Sequence, residues 1–459
     1  MRGCSASRPP SPSERDAEGS NPSGKLRSAA RNSHVEGMIV GWKRAKDRLR
    51  DTGLRVLVFA LLCAPTIVSA ADGQAADNPP STPFVKTEGT RFTAGGKPFF
   101  VTGVNNHYLT FGSEAEVTRV LDDAVAMGAN VVRTFLQPVI GSLDGSMATI
   151  WQWRMKADSS DLGVKGTFLI YWDDREGGMA FNDGINGMQK VDFLIAEASK
   201  RHLKLIIAFL DFWDYTGGAQ QMRAWYGSQD KSGFFFRDRR TRRDYMSWVR
   251  HVVQRVNPIT GIAYRDDPVI MAWELMNEGN ANPESLRLAW TTEMSAYVKF
   301  LDPNHLVSSG NAGNAAVADK LSDLTIATLD YGTWHGYPLY YNLTTQQFGD
   351  TITEFCQIAA RVNKPVLLEE FGYARSNADS ASAYTMWLDK LERDPNCAGW
   401  LVWRLVSRQD SGRFPADEHD QFDIRNDGSA IWNVFKAATA RATQSRQTNR
   451  ASDSGRAVR

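Results

Sequence analysis

Eight short runs of apolar residues recur along the chain, at 99–105, 130–135, 203–210, 269–276, 305–309, 333–337, 365–371 and 399–405. Each is rich in aliphatic or aromatic residues and too short for a typical helix, so each is read as a strand buried on both faces. Between several of them the period changes. In 114–127 and 191–202 the apolar residues return at helical spacing, the stripe of an amphipathic helix. Strand-like and helix-like segments therefore alternate from about 84 to 440. That alternation predicts parallel strands with helical crossovers, and a count of eight predicts a (β/α)8 TIM barrel forming a single domain over 84–440. A doubly wound open sheet is the competing arrangement, but no GxGxxG follows the first strand.

The pattern fails at both ends of the chain. Residues 1 to about 40 are rich in Ser, Arg, Pro and Gly with no hydrophobic period, which predicts a disordered leader. Then come Lys43, Arg44, Lys46, Arg48, Arg50 and Arg55, the apolar run 56–68 and Ser69-Ala70-Ala71, the three regions of a secretory signal peptide. Leader and signal together occupy 1–71, with the signal at about 38–71, Met38 a candidate start and cleavage expected near Ala70 or Ala71. The apolar run is too short to span a bilayer comfortably, so a secreted protein without stable membrane association is expected, and a scaffold on an uncleaved anchor is the alternative. Residues 72–83 read as a linker, and the Arg/Ser-rich tail 441–459 as disordered. Within the barrel, 137–189 is the longest irregular stretch; it carries Trp151, Trp153, Tyr171 and Trp172, and such a loop serves or covers a site. The basic cluster 238–243 reads as the solvated start of a helix.

A net charge of +1 gives no global electrostatic signature, so neither nucleic acid nor an anionic membrane is implied as a partner, and a monomer is expected. A neutral ligand fits better. The 14 Trp residues exceed what a core usually requires, and flat aromatic faces suit sugar rings. Of the four cysteines, Cys4 and Cys63 fall in the segment expected to be removed. Cys356 and Cys397 remain, either as a disulfide in an oxidising compartment or as two buried thiols. Neither has metal-site spacing, so no metal or other cofactor is invoked.

Two strands end in carboxylates. The run 268–276 closes with Asn277 and Glu278, and 365–368 passes into Glu369, Glu370, Phe371 and Gly372. Chemistry in barrels sits at the carboxyl ends of the strands, and the strand count puts Glu278 and Glu370 on strands four and seven, facing each other across the mouth. A facing pair of carboxylates suits hydrolysis of a glycosidic bond, one protonating the leaving oxygen and the other acting at the anomeric carbon. Glu274 lies within its strand and reads as structural. Alternation along the strand sends Glu369 and Glu370 to opposite sides, so only one should face the mouth, and Glu370 is preferred.

The segment from Ile262 to Glu278, ending Trp273-Glu274-Leu275-Met276-Asn277-Glu278, resembles the fourth-strand signature of glycoside hydrolase family 5, particularly its endo-β-1,4-mannanases. The resemblance continues through 130–135, Trp334-His335-Gly336-Tyr337-Pro338, Glu369-Glu370-Phe371-Gly372 and Gly399-Trp400-Leu401-Val402-Trp403, almost the whole barrel. It implies a secreted, retaining β-glycoside hydrolase acting inside β-1,4-mannosidic chains such as mannan, glucomannan or galactomannan, with Glu278 as acid/base and Glu370 as nucleophile. Arg133, Asn277, His335, Tyr337 and Trp403 match the surrounding substrate-binding positions. Arg133 would hold the nucleophile ionised, Tyr337 would hydrogen-bond it, Asn277 would meet the sugar 2-hydroxyl, and Trp403 would lie beneath the ring. His335 would orient a neighbour or meet a hydroxyl. Trp213, in a loop resembling one beside the glycone subsites, joins the set. The chain departs from the family pattern at Asp211, where Asn is commoner, at Gly279 and Arg404, and at Tyr340-Tyr341-Asn342. These departures leave open an exo-acting β-mannosidase or a β-glucanase on the same scaffold. A non-catalytic carbohydrate-binding barrel is the reading from another class.

Overall fold

The computed structural model describes residues 83–151, 159–313, 322–415 and 420–456. The leader, the signal segment and the linker up to residue 82 lie outside the described residues, as do Trp153 and residues 457–459. All eight expected strands form. They are β1 (Val101–Asn105), β2 (Val131–Phe135), β3 (Lys204–Ala208), β4 (Ile270–Glu274), β5 (Leu306–Ser308), β6 (Gly332–Gly336), β7 (Val366–Phe371) and β8 (Gly399–Val402). They build one parallel eight-stranded sheet in the order β5-β4-β3-β2-β1-β8-β7-β6. The two end strands of that order are brought together by backbone bonds through the loops beside them: Asp330 N donates to Val307 O at 2.9 Å, and His335 N to Ala312 O at 2.6 Å. This nearly closed sheet is the (β/α)8 barrel.

The outer ring holds helices α1 (Glu114–Met127), α2 (Met188–Lys200), α3 (Arg239–Gln254), α4 (Glu284–Leu301), α5 (Thr345–Val362), α6 (Ser380–Arg393) and α7 (Ala430–Arg456). Local chemistry fixes their ends. Ser113 and Glu116 make a reciprocal capping box on α1, Thr344 and Gln347 do the same on α5, and Asp238 caps the Arg-rich start of α3. Cys356 of α5 is disulfide-bonded to Cys397, which precedes β8, with Cα atoms 4.9 Å apart; the pair left open by sequence is therefore a cystine. No helix among the described residues is long and apolar enough to cross a membrane.

Apolar side chains fill the barrel bottom. An antiparallel three-stranded sheet, Val85–Glu88, Arg91–Ala94 and Lys97–Phe99, precedes β1 and inserts Val85 and Phe92 among Val101, Val131, Ile206, Leu367 and Leu401. Phe99, expected in the first barrel strand, belongs to this small sheet instead. Two further expectations need correction. The stretch 137–189 is not wholly irregular: Val139–Ser142, Ile170–Asp173 and Gly178–Phe181 form a second three-stranded sheet, its hairpin turning where Gly177 has φ +62°. The tail is not disordered from 441, because α7 continues to Arg456. Its early part is held to the barrel wall, with Ala442 buried and Arg441 Nε donating to Glu392 Oε2 at 2.9 Å.

Candidate active site

Apart from Arg133, at the middle of β2, every expected site residue lies near or beyond a strand's carboxyl end. Register puts Asn105 of β1 beside Arg133 of β2, and Arg133 beside Ile206 of β3. Asn277 follows β4 and pairs in parallel with Asp211, which follows β3. His335, next to last in β6, lies opposite Glu370 of β7, and Trp403 follows β8. Glu278 occupies the left-handed region at φ +50°, an uncommon conformation for a residue with a side chain. Its N–H donates to Gly310 O at 2.9 Å. Gly310 itself has φ +72°, and a Cβ there would stand 2.1 Å from Met276 O, so only glycine lets the two loops approach this closely.

Arg133 organises the floor. It is fully buried, and each of its nitrogens has a partner. Nε and Nη2 donate to the two oxygens of Glu274 at 2.7 Å each, Nη2 also donates to Asn277 Oδ1 at 2.8 Å, and Nη1 donates to Asn105 Oδ1 at 2.9 Å and Glu370 Oε1 at 2.6 Å. Glu274 is thus a bidentate partner of the arginine, and it fixes the fork that reaches Glu370. Burial pushes the Glu274 carboxyl up to about 7 even though Arg133 pulls the other way.

The strand-alternation argument for Glu369 and Glu370 does not hold at this site. Register along β6 and β7 shifts between Trp334 and His335, so that Leu368 and Glu370 have partners and Glu369 is the extra residue of a bulge. A bulge breaks the two-residue alternation. Both carboxylates consequently face Arg133, at 3.5 Å for Glu369 and 2.6 Å for Glu370. They differ in what they bond. Glu370 Oε2 also accepts from Tyr337 OH at 2.6 Å, whereas neither oxygen of Glu369 has a hydrogen-bond partner among the described residues. Burial, with Glu370 and Glu278 nearby, keeps the Tyr337 phenol well above its ordinary range and therefore a donor.

Glu278 stands across the mouth with a different set of partners. Trp213 Nε1 donates to its Oε2 at 2.7 Å, and His335 Nδ1 lies 2.6 Å from its Oε1. The indole of Trp213 therefore touches a candidate catalytic carboxylate directly, a contact that sequence reasoning had not given it. Burial alone would pull His335 down, but Glu370, Glu278 and Glu369 around it lift the imidazole to about 10. Burial would raise Glu278, yet the bonds from His335 and Trp213 win and hold it below the usual carboxylate range. One oxygen each of Glu278 and Glu370 and a ring nitrogen of His335 all lie within 4.8 Å of one another. That trio has the reach to ligate a cation, but Arg133 already places a guanidinium 2.6 Å from Glu370.

Trp403 is half-buried, its ring stacked on Phe135 with centroids 6.1 Å apart, and it touches neither glutamate through a hydrogen bond. Asn105, the last residue of β1, is fully buried and donates to Glu369 O at 2.8 Å. Asp211 is a participant that sequence registered only as a departure. It is buried, and its Oδ1 accepts from Asn277 Nδ2 at 3.0 Å. Burial pushes its carboxyl up to about 8, so at neutral pH it is mostly the uncharged acid.

A parallel barrel with a buried and a half-buried glutamate, oppositely placed and differently bonded at one end of its strands, defines a hydrolase of the glycosidase class. Comparison with known proteins makes this specific. A family model described as GH family 5 beta-mannosidase-like matches residues 175–394. A relative from Oryza sativa subsp. japonica, named as a mannan endo-1,4-beta-mannosidase, is 31% identical over 80% of this chain and 91% of its own length. Mannan endo-1,4-beta-mannosidase F of Aspergillus fumigatus is 27% identical over 73% of this chain and 74% of its own. Among solved structures, the endo-1,4-beta-mannanase from Rhizomucor miehei matches with a TM-score of 0.66 and 26% identity, covering 78% of this chain and 99% of that one. The chain belongs to glycoside hydrolase family 5, and it is a glycoside hydrolase of the mannan endo-1,4-β-mannosidase-like type.

Proposed function

We propose that this enzyme cleaves β-1,4-mannosidic bonds within mannan, glucomannan or galactomannan, with retention of configuration and in an exported form. The observation that carries the mechanism is the approach of Glu278 and Glu370, with an oxygen of each within 4.8 Å of the other. Retaining enzymes hold their carboxyl groups about 5 to 5.5 Å apart, and inverting ones leave roughly 6.5 to 9.5 Å for a water. The names of the curated relatives and of the Rhizomucor miehei structure support mannan as substrate and internal cleavage. The Cys356–Cys397 disulfide supports export to an oxidising compartment.

In this reading Glu370 attacks the anomeric carbon, its charge kept by Arg133 and its second oxygen aligned by Tyr337. The leaving oxygen takes a proton from Glu278. In the free enzyme that proton resides on His335, 2.6 Å from the Glu278 carboxylate, and it crosses this short bond as the leaving oxygen becomes basic. Esterification then removes the charge of Glu370, which helps to hold the proton on His335. Glu278, left ionised when its proton goes to the leaving oxygen, takes a proton from the water that resolves the intermediate and returns it to His335 as Glu370 regains its charge. Trp403 offers an apolar face to the ring.

The test is hydrolysis of mannan, glucomannan, galactomannan, cellulose and xylan, with product sizes and anomeric configuration recorded. Internal cuts in the mannans and β-anomers as first products are expected, and Glu278→Ala and Glu370→Ala should each lose at least about 1000-fold in kcat. Undiminished hydrolysis by either variant refutes the assignment, and α-anomers as first products refute retention.

A further inference from the structure

A charged cleft of about 650 Å³ opens between α3 and α4 on the outer wall of the barrel. Arg239, Arg242, Arg243 and Arg250 of α3 line it, opposite Glu293 and Tyr297 of α4. At 1.5 Å of rise per residue, Arg239 and Arg243 stand about 6 Å apart along the helix, and Arg250 about 10 Å further on. Four like charges on neighbouring turns repel each other and weaken a helix. Their own partners only partly offset this. Arg242 pairs with Glu293, and Arg243 lies 3.3 Å from Asp244, a carboxylate that also accepts from Tyr226 OH. Arg250 Nε donates to the neutral Tyr297 OH at 3.0 Å, and Arg239 has no carboxylate partner among the described residues. The cleft therefore holds at least two uncompensated positive charges in a protein whose net charge is only +1.

We propose that this cleft binds an acidic polysaccharide, a chain of uronate-bearing sugars, separately from the glycan that the active site cleaves. The chemistry favours that occupant. Guanidinium groups match carboxylates through paired donors, and spacing along one groove suits an extended polymer with repeating charges. The Tyr297 ring supplies an apolar wall for a sugar, and Arg250 lies over that ring with 5.9 Å to its centroid. None of the bonds that these residues make reaches Glu278 or Glu370, so the cleft would hold the enzyme on a matrix without contributing to bond cleavage. The inference does not depend on which glycan is hydrolysed.

The experiment uses the full chain and polygalacturonate as probe, in affinity electrophoresis and titration calorimetry at rising salt. The triple variant Arg239→Gln, Arg243→Gln, Arg250→Gln is compared with Arg239→Gln alone, an exposed position whose change leaves the fold intact. Expected are binding that weakens with salt, at least about a tenfold loss of affinity in the triple variant and a smaller loss in the single one. Turnover of a neutral soluble oligomannoside should be unchanged in both. Three results would overturn the proposal: no binding by the unaltered protein, equal affinity in the variants, or equally tight binding to anionic lipid vesicles or duplex DNA, which would mark a nonspecific polycation.

Discussion

The two ends of one barrel are built from the same eight strands by opposite means. At the bottom, Val85, Phe92, Val101, Val131, Ile206, Leu367 and Leu401 fill the space with hydrocarbon. At the top, Arg133 and three glutamates, Glu274, Glu369 and Glu370, fill it with charge. The first arrangement gains stability in proportion to the area removed from water. The second withdraws ions from water and recovers that cost only where hydrogen bonds are complete. Glu274 and Glu370 have theirs, and Glu369 does not. The difference teaches that the catalytic end is held at the expense of the other, with chemistry concentrated where packing contributes least.

Breaking the top should cost most. In Arg133→Met, Glu274 and Glu370 lose their shared cation while remaining buried. The expected loss is about 3 to 5 kcal/mol of stability, read by denaturant unfolding, together with a collapse of kcat. A variant as stable as the parent would show that the arginine serves alignment alone. Next comes the bottom. Leu401→Ala removes a fully buried side chain from the plug and should cost about 2 to 5 kcal/mol, with turnover per folded molecule unchanged. If kcat fell in step with stability, the two ends would not be separable in the way proposed.

How far these ends could be read from sequence follows the same division. The eight strands were legible because burial on both faces writes an unbroken apolar run, and two were overextended: Phe99 serves the plug, and Leu405 pairs with Ile424 in a separate two-stranded sheet. The positions flanking the active site were visible as polar residues closing such runs. What sequence hid depends on backbone detail. Glu369 and Glu370 face the same arginine because of a bulge, which no alternation of residue types announces. The contact from Trp213 to Glu278 joins two loops that are 65 residues apart. The helical tail to Arg456 was missed because its composition reads as solvated, while its first turns dock through Thr439 and Ala442.

The smallest expected effect sharpens the comparison by altering one charge at the top without changing its shape. Asp211 stands where the family more often has Asn, and its carboxyl is pushed up to about 8 by burial, against the pull of its hydrogen bonds from Asn277 and Trp213 N–H. Below about pH 4 both folded and unfolded chains carry this group protonated, so it makes no pH-dependent contribution there. As pH rises from about 4 to about 8 the unfolded chain ionises freely and the folded one does not, and stability is progressively lost. Asp211→Asn keeps an acceptor for Asn277 and has no proton to lose. It should therefore match the parent near pH 4 and exceed it progressively as pH rises to 9, seen as a gap in melting temperature that opens with pH. Above pH 8 the parent also places a new negative charge near Glu278 and Glu370, so its alkaline limb of kcat/KM should fall earlier than that of the variant. A melting-temperature gap of constant size from pH 4 to 9 would mean that Asp211 is ionised throughout, and that the top of the barrel carries one more uncompensated charge than its hydrogen bonds account for.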